Sequence, residues 1–102
     1  MKRPGNFATA FKALGDPTRL RIMELLRASG KSCCSLIAHD ERGLCACDIE
    51  ESIGLSQAAT SHHMAVLIRA GLVQGEKRGR WVFYRRNEAT LKKLAETIAA
   101  VV

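Results

Sequence analysis

Four cysteines stand close together in the first half of this 102-residue chain, as the adjacent pair Cys33-Cys34 and the near-adjacent pair Cys45-Ala46-Cys47. Two disulfides in a secreted scaffold would call for an export signal and a poor apolar core. Neither is found: Met1-Lys2-Arg3-Pro4 leads into no apolar signal segment, and 47% of the residues are hydrophobic. The thiols are therefore expected to act as ligands or reactive groups in a reducing cytoplasm. Thiolate is a soft donor, so the fitting ions are trivalent arsenic or antimony, copper(I), zinc and cadmium rather than hard, oxygen-seeking cations. Close thiol pairs also permit disulfide or polysulfide formation, which makes a redox or reactive-sulfur sensor the competing reading. His39 lies in the same stretch, but a single loop histidine is more often solvated than ligating, and it is left out of the ligand set.

The partner is expected to be a polyanion. Sixteen Lys and Arg stand against ten Asp and Glu, a net charge of +6, and the basic residues gather at 19–31 and 77–93. No grouping of nucleophile, base and orienting residue is present, nor a Cys-x-x-Cys on a βαβ pattern, so an enzyme is not expected. No apolar run approaches the ~18 residues that span a bilayer, so no membrane partner is expected either.

These residues must be positioned by one domain covering 1–102, with a cysteine-containing loop at 30–47. Phe7, Ala10, Phe11 and Leu14 at helical spacing predict a first helix that Gly15 ends. Asp16-Pro17 is a helix start, and Ile22, Met23, Leu25 and Leu26 carry that helix to about Ala28. The stretch 30–44 has no sustained period and reads as irregular or partly helical. A short helix at 48–53, a left-handed stop at Gly54 and a cap at Ser56 introduce a helix running to about Ala70. Its inward face is expected at Ala59, His63 or Met64, Val66 and Leu67. Beyond Gly71, two strands with a basic turn at Arg78-Gly79-Arg80 lead to a last helix capped by Asn87, with Leu91, Leu94, Ala95, Ile98 and Val102 on one stripe.

Short helix, glycine turn, second helix and basic hairpin is the order of a winged helix-turn-helix. The fold class expected is mainly α with a small β-hairpin, about five helices and two strands. The apolar stripes Phe7, Phe11, Leu14 and Leu91, Leu94, Ile98 on the terminal helices predict a homodimer. Ser56, Gln57, Ala58, Thr60, Ser61 and His62 are the residues expected at double-stranded operator DNA from the second helix, and Lys77, Arg78 and Arg80 from the wing. His63 is assigned to packing.

Four segments in order resemble the ArsR/SmtB repressors of arsenical and metal resistance: Ala13 to Ile22, Leu44 to Ile49, Leu55 to Met64, and Ala70 to Val73 followed by Gly79 to Tyr84. The resemblance covers residues 7 to about 95. It implies dimerisation through the first and last helices, reading by the helix at 56–68, and release from the operator when inducer binds. Cys45 and Cys47, at a helix start whose free amides favour thiolate, look like the thiols of the arsenic-responsive members, in which three sulfurs hold the trivalent metalloid. No cysteine follows Cys47, so the third sulfur is expected from Cys33 or Cys34. All four thiolates together would instead make a tetrahedral site for zinc or cadmium.

Overall fold

Side-chain caps at Asp16, Ser56 and Asn87 open three of the helices, and a left-handed glycine, Gly54, closes another, among the residues described. The computed structural model describes residues 7–28 and 44–101; Cys33, Cys34 and His39 lie outside them. Helix α1, Phe7–Leu14, is followed by α2, Pro17–Ala28. Between them the Asp16 carboxylate accepts the Arg19 N–H at 3.1 Å, while Pro17 takes a first-turn position where its missing donor costs nothing. A two-residue strand β1, Leu44–Cys45, runs straight into α3, Ala46–Ile53. Gly54 closes α3 in the left-handed region at φ 79°, its N–H bonded to the Glu50 carbonyl at 2.8 Å. Helix α4, Gln57–Arg69, opens with the Ser56 Oγ accepting from the Ala59 N–H at 3.1 Å. Strands β2, Val73–Arg78, and β3, Trp81–Arg86, form the wing around Gly79-Arg80, where φ of +63° at Gly79 suits the tight turn. The Asn87 side-chain Oδ1 then accepts the Thr90 N–H at 3.2 Å and starts α5, Glu88–Val101.

The sheet is antiparallel in the order β1-β3-β2, with Leu44 opposite Tyr84, Cys45 opposite Phe83, and Arg78 opposite Trp81 at the wing tip. The sequence pattern predicts only two strands. The third is too short to show an alternation, and its pairing is with a strand distant in the chain. It also takes Cys45 and Cys47 out of the expected loop at 30–47: Cys45 is a strand residue and Cys47 lies in the first turn of α3.

One core joins these elements. Ile22, Met23 and Leu26 of α2 meet Ile49 of α3, Met64 and Leu67 of α4, and Leu72, with Ala10 and Ala13 of α1 and Leu94 of α5 at its margins. Leu94 thus belongs to the chain's own core rather than to an open stripe. Phe11, Ile98 and Val101 keep apolar surface exposed on the two terminal helices.

Leu67 is fully buried, so Leu67→Ala should cost about 2–5 kcal/mol. Gly54→Ala, which forces a Cβ into the left-handed region, should cost about 1–2 kcal/mol. Urea unfolding followed by circular dichroism ranks the two; a Gly54 variant as stable as the parent would show that the turn relaxes to another conformation.

Candidate thiol site and nucleic-acid interface

Cys45 is 1% exposed and Cys47 is exposed, yet their sulfurs meet at 2.7 Å. Two local features bring them together. The extended backbone of Cys45 (φ −83°, ψ 164°) makes it the residue that opens α3, and the helix then carries Cys47 round to the same side. Asp48, at the third helical position, reaches back so that its Oδ2 lies 3.4 Å from both the Cys45 N–H and the Cys45 Sγ. Donor atoms of Cys45, Cys47 and Asp48 all fall within 4.8 Å of one another. The sequence reading did not single out Asp48, although an acidic residue three places after a helix-opening residue is a capping signal. Two sulfurs suit a soft ion; the carboxylate suits a borderline one such as zinc better than trivalent arsenic.

The buried side of Cys45 packs against Phe83, with Trp81 alongside. In front of the thiols lies an open cleft of about 460 Å³ whose walls come from three elements. The start of α3 gives Cys45 and Cys47, α4 gives Gln57 and Ser61, and the wing gives Arg80 and Trp81. Tyr84 also lines it; burial first, and then the negative charge of Glu50, push its phenol above the usual 10.0. The phenol is therefore neutral at ordinary pH.

On α4, Gln57, Ala58, Ser61 and His62 are exposed. Thr60, expected on the outer face, is 1% exposed, and its hydroxyl has no hydrogen-bond partner among the described residues. The reason is helical phase: Thr60, Met64 and Leu67 follow the i, i+4, i+7 spacing of the buried stripe. Thr60 is therefore a core residue, and a groove contact by its side chain is withdrawn. The Ser56 hydroxyl is occupied as the cap of α4. On the wing, Lys77, Arg78 and Arg80 are exposed. Arg78 is drawn to Glu76 at 3.0 Å, whereas the Arg80 guanidinium lies 5.7 Å above the Trp81 ring.

Residues 38–74, from the segment before β1 through α3 and α4 to the start of β2, match the family described as bacterial regulatory protein, arsR family. An arsenical resistance operon repressor of Bacillus subtilis is 33% identical over 82% of this chain and 69% of its own length. A cadmium resistance transcriptional regulatory protein CadC homolog of Staphylococcus aureus is 33% identical over 93% of this chain and 69% of its own length. The chain belongs to the ArsR family. An ArsR-like transcriptional regulator from Rhodococcus sp. RHA1 superposes with a TM-score of 0.70 at 31% identity, covering 95% of this chain and 79% of the other. This ArsR-family chain is thus a DNA-binding transcriptional regulator with a winged helix-turn-helix, and its family is not one of enzymes. No helix among its described residues is long and apolar enough to cross a membrane.

A second polar network braces α4 of this ArsR-family chain from behind. Arg19 of α2 donates through Nε to the Ala13 carbonyl at 2.7 Å and through Nη1 to His63 Nδ1 at 3.0 Å. Arginine can only donate, so Nδ1 accepts, and His63 is fixed by more than packing. Asp16 closes the network: the hydrogen bond from the Arg19 N–H, helped by the guanidinium charge of Arg19, holds its carboxyl below the usual 3.8 against the opposing effect of burial. Its stabilising contribution is complete above pH 3.8 and disappears as pH falls through the lower folded value. Asp16→Ala should therefore unfold at lower urea concentration than the parent at neutral pH, and the gap should close as pH drops below 3.8. A gap that stays constant through the acid range would show that the carboxylate charge plays no part.

Proposed function

We propose that this ArsR-family regulator is a cytoplasmic homodimeric repressor whose hold on operator DNA is broken when Cys45, Cys47 and one of Cys33 or Cys34 capture trivalent arsenic or antimony. The observation that carries the reading is the meeting of the Cys45 and Cys47 sulfurs at 2.7 Å in a cleft shared with the reading helix and the wing. An ion held there acts on both DNA-facing elements. Through Cys45 it presses on Phe83 and Trp81, and so on Arg80; across the cleft it faces Gln57 and Ser61. Release follows to the extent that the free conformation binds the ion more tightly than the DNA-bound one. The exposed apolar residues Phe11, Ile98 and Val101 on the terminal helices support pairing of two chains. The relatives named for arsenical and for cadmium resistance support a soft-ion inducer, with zinc, cadmium and copper(I) as the other candidates.

Release of labelled operator under reducing conditions tests this, with arsenite, antimonite, zinc, cadmium and copper(I) added in turn. Cys45→Ser and Cys47→Ser should keep operator affinity and lose arsenite release. Single changes at Cys33 or Cys34 should be mild, with the double change as damaging as Cys47→Ser. Normal arsenite response in the Cys45/Cys47 double variant would move the inducer site elsewhere. The short sulfur separation also favours a redox or reactive-sulfur sensor, and a peroxide and a persulfide arm of the same assay separate the two.

Under this reading Gln57, Ser61 and His62, with the backbone around Ser56 and Ala58, face the major groove, while Lys77, Arg78 and Arg80 contact phosphates. Arg80→Ala should weaken binding to every sequence and lower the salt slope by about one unit. Gln57→Ala should cost about 1–3 kcal/mol on the operator and much less on random duplex. Equal losses on both duplexes would remove Gln57 from the reading set.

A further inference from the structure

We propose that His63 positions α4 for DNA binding only while its ring is neutral with the proton on Nε2, so that the chain holds its operator less tightly as the solution becomes acid. This rests on the reading of α4 as the DNA-facing helix; His63 acts through the helix it holds, from the side that Arg19 occupies.

A guanidinium has only donors and keeps its proton. The contact of Arg19 Nη1 with His63 Nδ1 at 3.0 Å therefore needs a lone pair on Nδ1, which leaves the proton of the neutral ring on Nε2. A second proton has one place to go, Nδ1. Its arrival turns the acceptor into a donor aimed at another donor and sets a positive ring against a positive guanidinium. Arg19 is held where it is: its Nε donates to the carbonyl of the buried Ala13 at 2.7 Å, and its backbone N–H donates to Asp16 at 3.1 Å. The strain therefore falls on α4. Helices α1, α2 and α3 and strand β2 pack against α4. Of their charged groups, Arg19 touches the ring and opposes the proton, while Asp16, in the turn before α2, is near enough to favour it. The Asp16 carboxyl, held below 3.8 chiefly by the Arg19 N–H, keeps one charge throughout the imidazole range and adds no pH dependence there. On α3, Asp48 is engaged with Cys45, Glu50 acts on Tyr84 and Glu51 is exposed. Lys12 of α1, Arg21, Glu24 and Arg27 of α2, and Lys77 of β2 are exposed, and Glu76 pairs with Arg78. On α4 itself the His62 ring lies 5.5 Å away.

The strut meets α4 near its middle. Apolar contacts along Met64 and Leu67 tolerate a small slide or rotation of the helix, whereas a hydrogen bond is directional. The buried Thr60 hydroxyl supplies no such lock, having no partner among the described residues. Among those residues the Arg19–His63 bond is the side-chain hydrogen bond that ties α4 to another helix. His63 adjoins the exposed His62 and lies within two turns of the exposed Gln57 and Ser61, so a displacement at its ring carries that face with it. If the DNA-bound form needs the neutral ring, binding expels a proton: affinity is complete above the imidazole range and declines as pH falls through it. A proton on His62 has the opposite sign, since it adds positive charge to the exposed face and favours phosphate.

The test uses the reduced, metal-free full chain and a labelled duplex that this chain selects from a random-sequence pool at about pH 7.5, near the top of the imidazole range. Between about pH 7.5 and about pH 5.5 the parent should lose affinity by about five- to fiftyfold, the size of an ordinary coupling between two sites. His63→Asn, whose amide oxygen takes the place of Nδ1 and cannot titrate, should bind within about threefold of the parent at the upper pH and lose the decline. His62→Gln should keep it. Nitrogen NMR of the parent should show His63 Nδ1 without a proton at the upper pH, and added duplex should move its protonation to lower pH, as reciprocity requires. Affinity that stays constant or rises on acidification, a proton on Nδ1 at the upper pH, or a protonation midpoint that duplex leaves unmoved would each overturn the proposal, and none of these depends on a variant folding. So would a decline that persists in His63→Asn and vanishes in His62→Gln. Undiminished affinity in Gln57→Ala/Ser61→Ala would instead overturn the reading of α4 as the DNA-facing helix.

Discussion

The backbone of Cys45 is held from two sides, by antiparallel pairing opposite Phe83 and by its place as the residue that opens α3. A side chain on a loop could reorganise around an ion without telling the rest of the fold. Cys45 has no such freedom. Its sulfur is fixed relative to the wing by a strand pairing and relative to α3 by the helix start, and its buried face rests on Phe83. Any shift of that sulfur strains one of the two attachments, because a packed interior resists small displacements rather than absorbing them. The rest of the candidate site follows from this placement: Cys47 comes alongside because α3 begins there, and Trp81 lies near because β3 pairs with β1.

Most of this architecture is legible in the residues because local chemistry sets the boundaries. Asp16, Ser56 and Asn87 cap the helices assigned to them, and Gly54 stops α3 at a left-handed angle. What could not be read is what depends on pairing at a distance. β1 has two residues and no alternation, so the burial of Cys45 and the entry of α3 at Ala46 rather than Asp48 are invisible until β3 is in place. The phase of α4 was readable only in part. Met64 and Leu67 are buried as expected, but Thr60, whose side chain is compatible with either face, joins them inside. Leu94 is the converse case: its place on the stripe is right, and the fold uses it within the chain. Cys33 and Cys34 fall outside the described residues, and their role stands on the sequence alone.

Charge is divided over the molecule in a way that keeps α4 braced and the cations of the wing exposed. Behind α4, Arg19 is committed to Ala13 and His63. These are short-range bonds between partly buried groups, which salt screens little. On the wing, Arg78 is shared with Glu76, and both are about half exposed, so the pair is worth little in water and yields readily to a phosphate. Arg80 rests on the face of Trp81. The positive charge of the wing is thus carried on surface side chains, while the orientation of α4 is set by interior bonds.

Under the proposed function, the size of the effect that the thiol site must deliver bears on its place between α4 and the wing. Emptying an operator that is 99% occupied down to 1% needs a differential affinity of about 5.5 kcal/mol. A single coupling between two sites in a protein typically supplies about 1–3 kcal/mol. In the proposed dimer, with one thiol site per chain, each site has to contribute roughly half of the total, which reaches the upper part of that range. A ligand that disturbed only α3 would act on α4 through a short turn at Gly54, a joint able to take up small movements. A ligand in the cleft meets Gln57 and Ser61 directly and reaches Arg80 through Trp81. Engaging both elements lets one modest rearrangement weaken two sets of DNA contacts at once, so the required differential is met without a large change of fold.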